Sequence, residues 1–281
     1  MAIDAMEQAA LVGTAFGGLL RRWRNARRLS QLELSLSSEV SQRHLSFLES
    51  GRGHPSREMV LHLCDCLDIP LRDRNALLQA AGFAQAFRCS QLDADGMVPV
   101  LDALKLILEH HDPFPALVVD RDWNLLMANR GWANLLSLAG EPEALWQRTC
   151  GDGARNVVRL CFHADGLRPL IANWEAVAPA ILERLHKELA ASPSAGLATI
   201  IRELQHDHSI PSRWHHLEPG QPLAPVLPIE LSAGGAELRL FSMISTFGTP
   251  QDITTDELRV ETFFPADAGS DGLLRNISGA G

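Results

Sequence analysis

The sequence predicts two domains of different class: an all-α, five-helix domain, then an α+β domain built on an antiparallel sheet. Three observations carry this. The chain has 281 residues, more than the roughly 100–200 typical of one domain. The charge divides along the chain: residues 1–88 hold 11 Arg against 9 acids, whereas residues 89–281 hold 14 bases against 25 acids. Apolar residues recur at helical spacing up to Gly82, whereas β-rich runs broken by Asp or Gly turns appear only after Pro115.

The whole-chain charge of −9 argues against a protein that coats nucleic acid or a membrane surface. That average conceals a basic segment: Thr14–Glu58 holds 8 Arg and 4 acids. A hydrophobic content of 46% is too high for a disordered chain. With no Tyr and 6% aromatics, a base-stacking single-strand binder is disfavoured. The five Cys form no C-x-x-C pair, so neither a disulfide framework nor a zinc ribbon is expected. Residues 1–11 carry Asp4 and Glu7 without an early Lys or Arg, unlike a secretory signal. The longest uncharged stretches, Gln8–Leu20 and Leu189–Ile201, fall short of the ~18 residues needed to span a bilayer. The expectation is a soluble cytoplasmic protein that does not associate with membranes.

In the first domain, Phe16, Leu19, Leu20 and Trp23 give helix one an apolar face, with the arginines mostly opposite. Ser30-Gln31-Leu32-Glu33 reads as a capping box that starts helix two, which ends near Ser38. After the turn Val40-Ser41, Ser41 caps helix three, Gln42–Ser50, with Leu45 and Leu48 inward and Gly51 as its stop. Pro55-Ser56 opens helix four, with Met59, Val60, Leu63, Cys64 and Leu67 on one stripe. Pro70 breaks the chain, and helix five runs from about Arg72 to Ala81.

Two short helices joined by a tight turn inside such a bundle are the layout of a helix-turn-helix domain. Leu29-Ser30-Gln31, Val40-Ser41, Leu45-Ser46, Leu48-Glu49 and Gly51 resemble the repressor-type (XRE/Cro-like) helix-turn-helix signature. The family commonly has Gly where this chain has Glu39, so a left-handed backbone is expected at a residue that adopts it at a cost of ~1 kcal/mol.

That resemblance implies double-stranded DNA as partner, with helix three in the major groove. With Leu45 and Leu48 inward, Gln42, Arg43, His44, Ser46 and Phe47 face outward, next to Ser41. Arg43 suits guanine and Gln42 adenine by bidentate hydrogen bonding. Gln31 is expected on a backbone phosphate, and Arg21, Arg24, Arg27 and Arg28 on further phosphates. The plainer reading of any one of these arginines is a solvated helical face.

In the second domain, Arg88–Met97 reads as a polar linker and Pro99–His111 as an amphipathic helix. Ala116–Val119 and Trp123–Ala128 form a hairpin around Asp120-Arg121-Asp122. Gly131–Leu138, Asn156–Phe162, Pro169–Ala190 and Leu197–Leu204 read as helices. Strands follow at Val226–Leu231, Leu238–Ser245 and Leu258–Phe264, the first two joined by Gly234-Gly235. Hairpin, helices, then three strands suggests a small antiparallel sheet with helices on one side. This order is similar to PAS domains. The expected boundaries are a DNA-binding domain over 1–88, a linker over 89–97, a ligand-binding domain over 98–275 and a tail over 276–281.

Several strings resemble the MmyB-like transcriptional regulators. They include Pro115–Asp120, Trp123–Leu126, Gly166–Leu170, Asn173-Trp174, Thr246–Pro250 and Phe263–Asp267, with Arg43–Glu49 and Pro55–Met59 in the first domain. The resemblance implies a bacterial transcription factor whose PAS-like domain takes a small apolar, fatty-acid-like effector. Met127, Trp132, Phe162, Trp174, Phe241 and Met243 are the large side chains expected to line its pocket, although the same residues could simply fill a core. A ligand carboxylate would need a partner: Arg168 and Asn173, with Arg130 behind them. A homodimer on two half-sites is expected. The alternative is a body that only dimerises or binds a partner, without ligand.

No enzyme is expected, since the chain has no G-x-S-x-G, P-loop, G-x-G-x-x-G or H-E-x-x-H. No cofactor or metal site is expected either. His206–His208 lacks a cupin's further ligands, while His110-His111 and His215-His216 are adjacent pairs whose side chains diverge. Cys64 and Cys66 are two apart on a helix and read as packing residues.

Overall fold

The computed structural model describes residues 15–206 and 226–279. His208, His215 and His216 and the amino-terminal residues 1–11 read against a signal lie outside them. The described chain divides into two units, residues 1–90 with 249–256, and residues 91–248 with 257–281.

The first unit holds five helices: α1 (15–26), α2 (Gln31–Ser38), α3 (Gln42–Glu49), α4 (Arg57–Cys66) and α5 (Leu71–Ala80). The expected caps form. Ser30 Oγ accepts from the Glu33 amide at 3.1 Å while Glu33 accepts from the Ser30 amide at 2.7 Å. Ser41 and Ser56 cap α3 and α4 from their hydroxyls. Glu39 takes φ 54°, ψ 20°, the left-handed backbone expected of the turn. Phe16, Leu20, Trp23, Leu34, Leu45 and Leu48 meet in one core with Val60, Leu63 and Leu78. Gly17 lets α1 touch α3: a Cβ there would strike the carbonyl oxygens of Leu48 and Glu49.

Residues 249–256 join this unit, a placement that their position between two predicted strands did not suggest. Helix α12 (Ile253–Glu257) begins in this excursion. Asp252 accepts from the Ser90 hydroxyl at 2.7 Å, and the Ile253 amide donates to the Arg88 carbonyl at 2.8 Å. Asp256 Oδ2 accepts from the Leu71 amide at 3.0 Å. Helix α5 follows Pro70, whose side chain cannot cap it, so a carboxylate from far along the chain takes that role.

The second unit is built on a five-stranded antiparallel sheet of order β2-β1-β5-β4-β3. The strands are β1 (Ala116–Val119), β2 (Leu125–Ala128), β3 (Ile229–Ala233), β4 (Ala236–Ser245) and β5 (Arg259–Pro265). Strand β1 is buried at all four residues, as befits an inner strand covered on both faces. Gly234 and Gly235 have φ 59° and 83°, the pair of left-handed residues that a two-residue hairpin turn requires.

The two sheet faces carry different cores. Leu117, Val119, Leu240 and Phe263 face a helical layer. It comprises α7 (Arg130–Ser137), α8 (Pro142–Cys150), α9 (Val157–Phe162), α10 (Trp174–Ala191) and α11 (Ala195–Gln205). Ala116, Val118 and Val260 face the other way and meet Leu104 and Leu108 of α6 (Val98–His111). The expectation of helices on one side is therefore corrected: alternation along β1 gives it two apolar faces, and α6 covers the second. The structure adds α8 and α13 (Ala268–Gly279), and α10 begins at Trp174, after a 3₁₀ turn at Arg168–Leu170.

Candidate DNA-reading face and ligand cavity

On α3 the apolar and polar residues separate as the periodicity requires. Leu45 and Leu48 are fully buried, whereas Ser41, Gln42, Arg43, Ser46 and Phe47 are exposed and His44 is half-buried. Arg43 lies over the Phe47 ring, 5.4 Å from its centroid. This stacks a guanidinium in an exposed, laterally restrained position, suited to a planar, bidentate acceptor. The Ser41 hydroxyl is occupied as the cap of α3, accepting from the His44 amide at 3.2 Å.

The expected phosphate contacts divide. Arg28 is exposed, and Arg27 is turned to the Leu67 carbonyl at 2.8 Å. Arg24 is corrected: it is buried and forks onto Glu49, Nε to Oε1 at 2.6 Å and Nη2 to Oε2 at 2.9 Å. Arg21 adds Nε to Oε2 at 3.3 Å, and Gln31 adds Nε2 to Oε2 at 2.8 Å. Arg21 keeps 53% of its side chain exposed. Glu49, given no role by the sequence alone, thus organises three of the proposed phosphate contacts. Burial pushes its carboxyl up, but hydrogen bonds from Arg24 and Gln31 and the Arg24 charge hold it below the usual range. The available signal was the acid itself: at a position facing the α1 arginines, a buried carboxylate must find a cation.

In the second unit an apolar cavity of ≈ 70 Å³ opens between the sheet and the helical layer. Trp123, Trp132, Leu135, Val158, Leu240 and Phe263 form much of its wall, and Arg184 and Glu261 supply its charge. Trp132 is placed by Asn129, whose Oδ1 accepts from the Trp132 amide at 3.0 Å and the Ala116 amide at 2.9 Å. Asn156 likewise caps α9 and donates to the Asp122 carbonyl at 2.7 Å, which fixes the turn into Trp123. Arg184 lies over the Trp123 ring, 4.4 Å from its centroid, and reaches Glu261 Oε1 at 3.4 Å. Burial pushes the lining Cys161 thiol up to about 12, so it stays neutral.

Of the pocket residues expected from sequence, Trp132 lines this cavity. Phe162 is buried against Trp174, with centroids 4.9 Å apart, and Arg168 lies 5.7 Å over Trp174. Met127 packs with the α6 core instead. Phe241 stacks on Phe264, and Met243 is 55% exposed. These three share the parity of Val118 and Val260, the face opposite the cavity. Asn173 donates to the Pro228 carbonyl at 2.8 Å and accepts from the Glu230 amide at 3.0 Å, a clamp on β3. Arg130 donates to the Ser278 carbonyl at 3.1 Å. None of the three proposed carboxylate partners borders the cavity; Arg184, from α10, does.

A helix-turn-helix unit with an exposed reading helix, together with an α+β unit holding an apolar cavity, defines a DNA-binding transcription regulator with a ligand-binding domain. Residues 15–77 match the helix-turn-helix domain family, and residues 100–277 match the MmyB-like transcription regulator ligand binding domain. The chain belongs to the MmyB-like transcription regulators. Both matched families are regulator domains rather than enzymes. No curated protein matches the chain. A solved structure described as an RNA-binding light-oxygen-voltage receptor is similar at 13% identity and a TM-score of 0.28. That match covers 98% of this chain and 65% of the receptor chain. Among the described residues, no helix is long and apolar enough to cross a membrane, and no group of three or more His, Cys, Asp or Glu could hold a metal ion.

Proposed function

We propose that the protein is a sequence-specific regulator whose operator affinity responds to a small apolar effector of the fatty-acid-like, acyl-chain class. The observation that carries the DNA half is α3, which buries Leu45 and Leu48 and exposes Gln42, Arg43, Ser46 and Phe47. Arg43 and Gln42 read base edges; Arg21, Arg28 and His44 meet the backbone or adjacent edges. The cavity bounded by Trp123, Trp132 and Phe263 supports the effector half. Its walls offer an acyl body ~0.8 kcal/mol for each CH₂ removed from water. Binding then shifts the population of DNA-competent states. We further propose a cytoplasmic homodimer that reads two half-sites related by imperfect two-fold symmetry.

Selection of bound fragments from random DNA, with and without acyl compounds, tests this reading. The expected product is a split, near-palindromic site whose enrichment changes when the effector is added. A single unpaired half-site protected by a monomer would overturn the dimer. Gentle purification followed by native mass spectrometry should show a retained lipid; a folded chain that retains and binds no acyl compound would favour a body that only dimerises.

A further inference from the structure

We propose that helix α12 couples the cavity to the DNA-binding unit, through the Arg121–Glu257 ion pair on one side and the Asp256 cap of α5 on the other. This route rests on the reading of the cavity as a ligand site and supplies the path from occupancy to the reading helix.

The chain passes between the two units at 90–91, 248–249 and 256–257. The last passage falls inside α12, between Asp256 and Glu257. These two neighbouring carboxylates are committed to different units. Asp256 Oδ2 accepts from the Leu71 amide at 3.0 Å, in the first unit. Glu257 Oε1 accepts from Arg121 Nη1 at 2.7 Å, in the second. Adjacent residues of one helical turn move as a body, so a displacement felt by one carboxylate is carried to the other.

On the second unit's side, the ion pair is fixed to the elements that build the cavity wall. Arg121 stands two residues before Trp123, a wall residue whose φ of 66° lies in the left-handed region that L-residues adopt at a cost. Arg121 also donates to the Pro193 carbonyl, in the turn between α10 and α11. Helix α10 supplies Ile181 and Arg184 to the wall. From Glu257 the chain runs through the buried Leu258 into β5, which supplies Glu261 and Phe263. The side chains of Arg121 and Glu257 are each 13% exposed, so the pair is sheltered from water and sensitive to its geometry. A ligand that fills the wall therefore acts on the elements that carry both partners.

On the first unit's side, Asp252 accepts from the Ser90 amide at 3.2 Å and the Ser90 hydroxyl at 2.7 Å. Thr254 Oγ1 donates to the Ser90 carbonyl at 2.6 Å, and the Ile253 amide to the Arg88 carbonyl at 2.8 Å. These bonds pin the excursion to the last residues of the first unit. The Leu71 amide opens α5, and Leu77 and Leu78 of α5 share a core with Leu45 and Leu48 of α3. A shift at the first turn of α5 thus reaches the buried face of the reading helix through close-packed side chains.

Hydrogen exchange of the full-length protein tests the coupling, with dodecanoate as the probe and calorimetry as the measure of occupancy. Saturating dodecanoate is expected to slow exchange of the Leu71 amide at least about fivefold, the lower end of typical coupling between sites. Glu257→Gln is expected to bind dodecanoate still and to lose this response at Leu71. Without ligand, the same variant should exchange the Leu71 amide faster than the native chain, because α12 has lost one anchor. A native chain that binds dodecanoate with unchanged exchange at Leu71 would overturn the route while leaving the ligand cavity intact. So would a folded Glu257→Gln protein that responds at Leu71 as the native chain does. If that variant does not fold, Arg121→Gln breaks the same pair from the other partner, and the native response decides if neither folds. Failure of dodecanoate to bind the folded native chain would count against the effector reading. The ligand-free exchange of the variant then decides the link, and a native rate at Leu71 would overturn it.

Discussion

Arg24 and Glu49 form a forked ion pair inside the DNA-binding unit, with 11% of the arginine and none of the glutamate side chain exposed. The pair ties α1 to the end of α3, so it sets the angle at which the reading helix is presented. Removing the acid leaves a buried guanidinium without its partner. Glu49→Ala is expected to destabilise this unit by about 3–5 kcal/mol, read as a shift in the urea midpoint of its transition. Arg24→Lys keeps the charge but loses the fork, and a smaller loss is expected.

The same pair predicts an acid limb in stability. The Glu49 carboxyl is held below its ordinary value in the folded chain. Its contribution is therefore fully present above the unfolded value, about 4.3, and is lost as pH falls through the lower folded value. Glu49→Gln should flatten this part of the pH–stability curve. An unchanged acid limb would show that other carboxylates set it.

Arg43 and Arg28 should fail in different ways. Arg43→Ala is expected to cost about 1–3 kcal/mol of operator affinity and to relax selection at one base pair. Arg28→Ala should weaken all sequences alike and lower the slope of log affinity against log salt by about one contact, near 0.9. Arg24→Ala, by contrast, should act through unfolding rather than through the salt slope, because the residue is committed to Glu49.

Asp256 is a distant cap for α5, accepting from the Leu71 amide at 3.0 Å. Asp256→Ala is expected to cost about 1 kcal/mol, within the range for lost caps. Hydrogen exchange should locate the loss at the first turn of α5. Protection unchanged there would show that the amide finds an equal partner without the carboxylate.

Gly17→Ala tests the close approach of α1 to α3. The new Cβ would stand 2.7 Å from the Glu49 carbonyl oxygen, and backbone cannot step aside as a side-chain end can. A loss of about 1–3 kcal/mol is expected, measurable by thermal unfolding. Gly18→Ala is the control, since nothing lies near its Cβ position.

Much of the first unit was legible because its signals are local. Ser30 with Glu33, Ser41, Ser56 and the break at Pro70 mark helix ends within three or four residues of the groups they satisfy. The ligand cavity was less legible. Met127, Phe241 and Met243 are large and apolar like Trp132 and Phe263, but strand parity puts them on the opposite sheet face. Size and hydropathy do not reveal which face of an inner strand holds a hollow and which a packed helix. Arg184 escaped notice for a related reason: on α10 it follows the helical period as an ordinary polar residue, and only its approach to Glu261 of β5 makes it part of a site.

By itself the sequence determined the two domain classes, the helix-turn-helix with its outward residues, the strands and the family resemblance. Those follow from periodicity and capping, which act over a few residues. The tertiary structure decided which groups meet across long separations. Arg24 is 25 residues from Glu49, Arg184 is 77 from Glu261, and Leu71 is 185 from Asp256. The helical period can show that an arginine faces outward from its own helix. Whether it then meets phosphate, a buried carboxylate or a ligand depends on what the rest of the chain brings opposite to it.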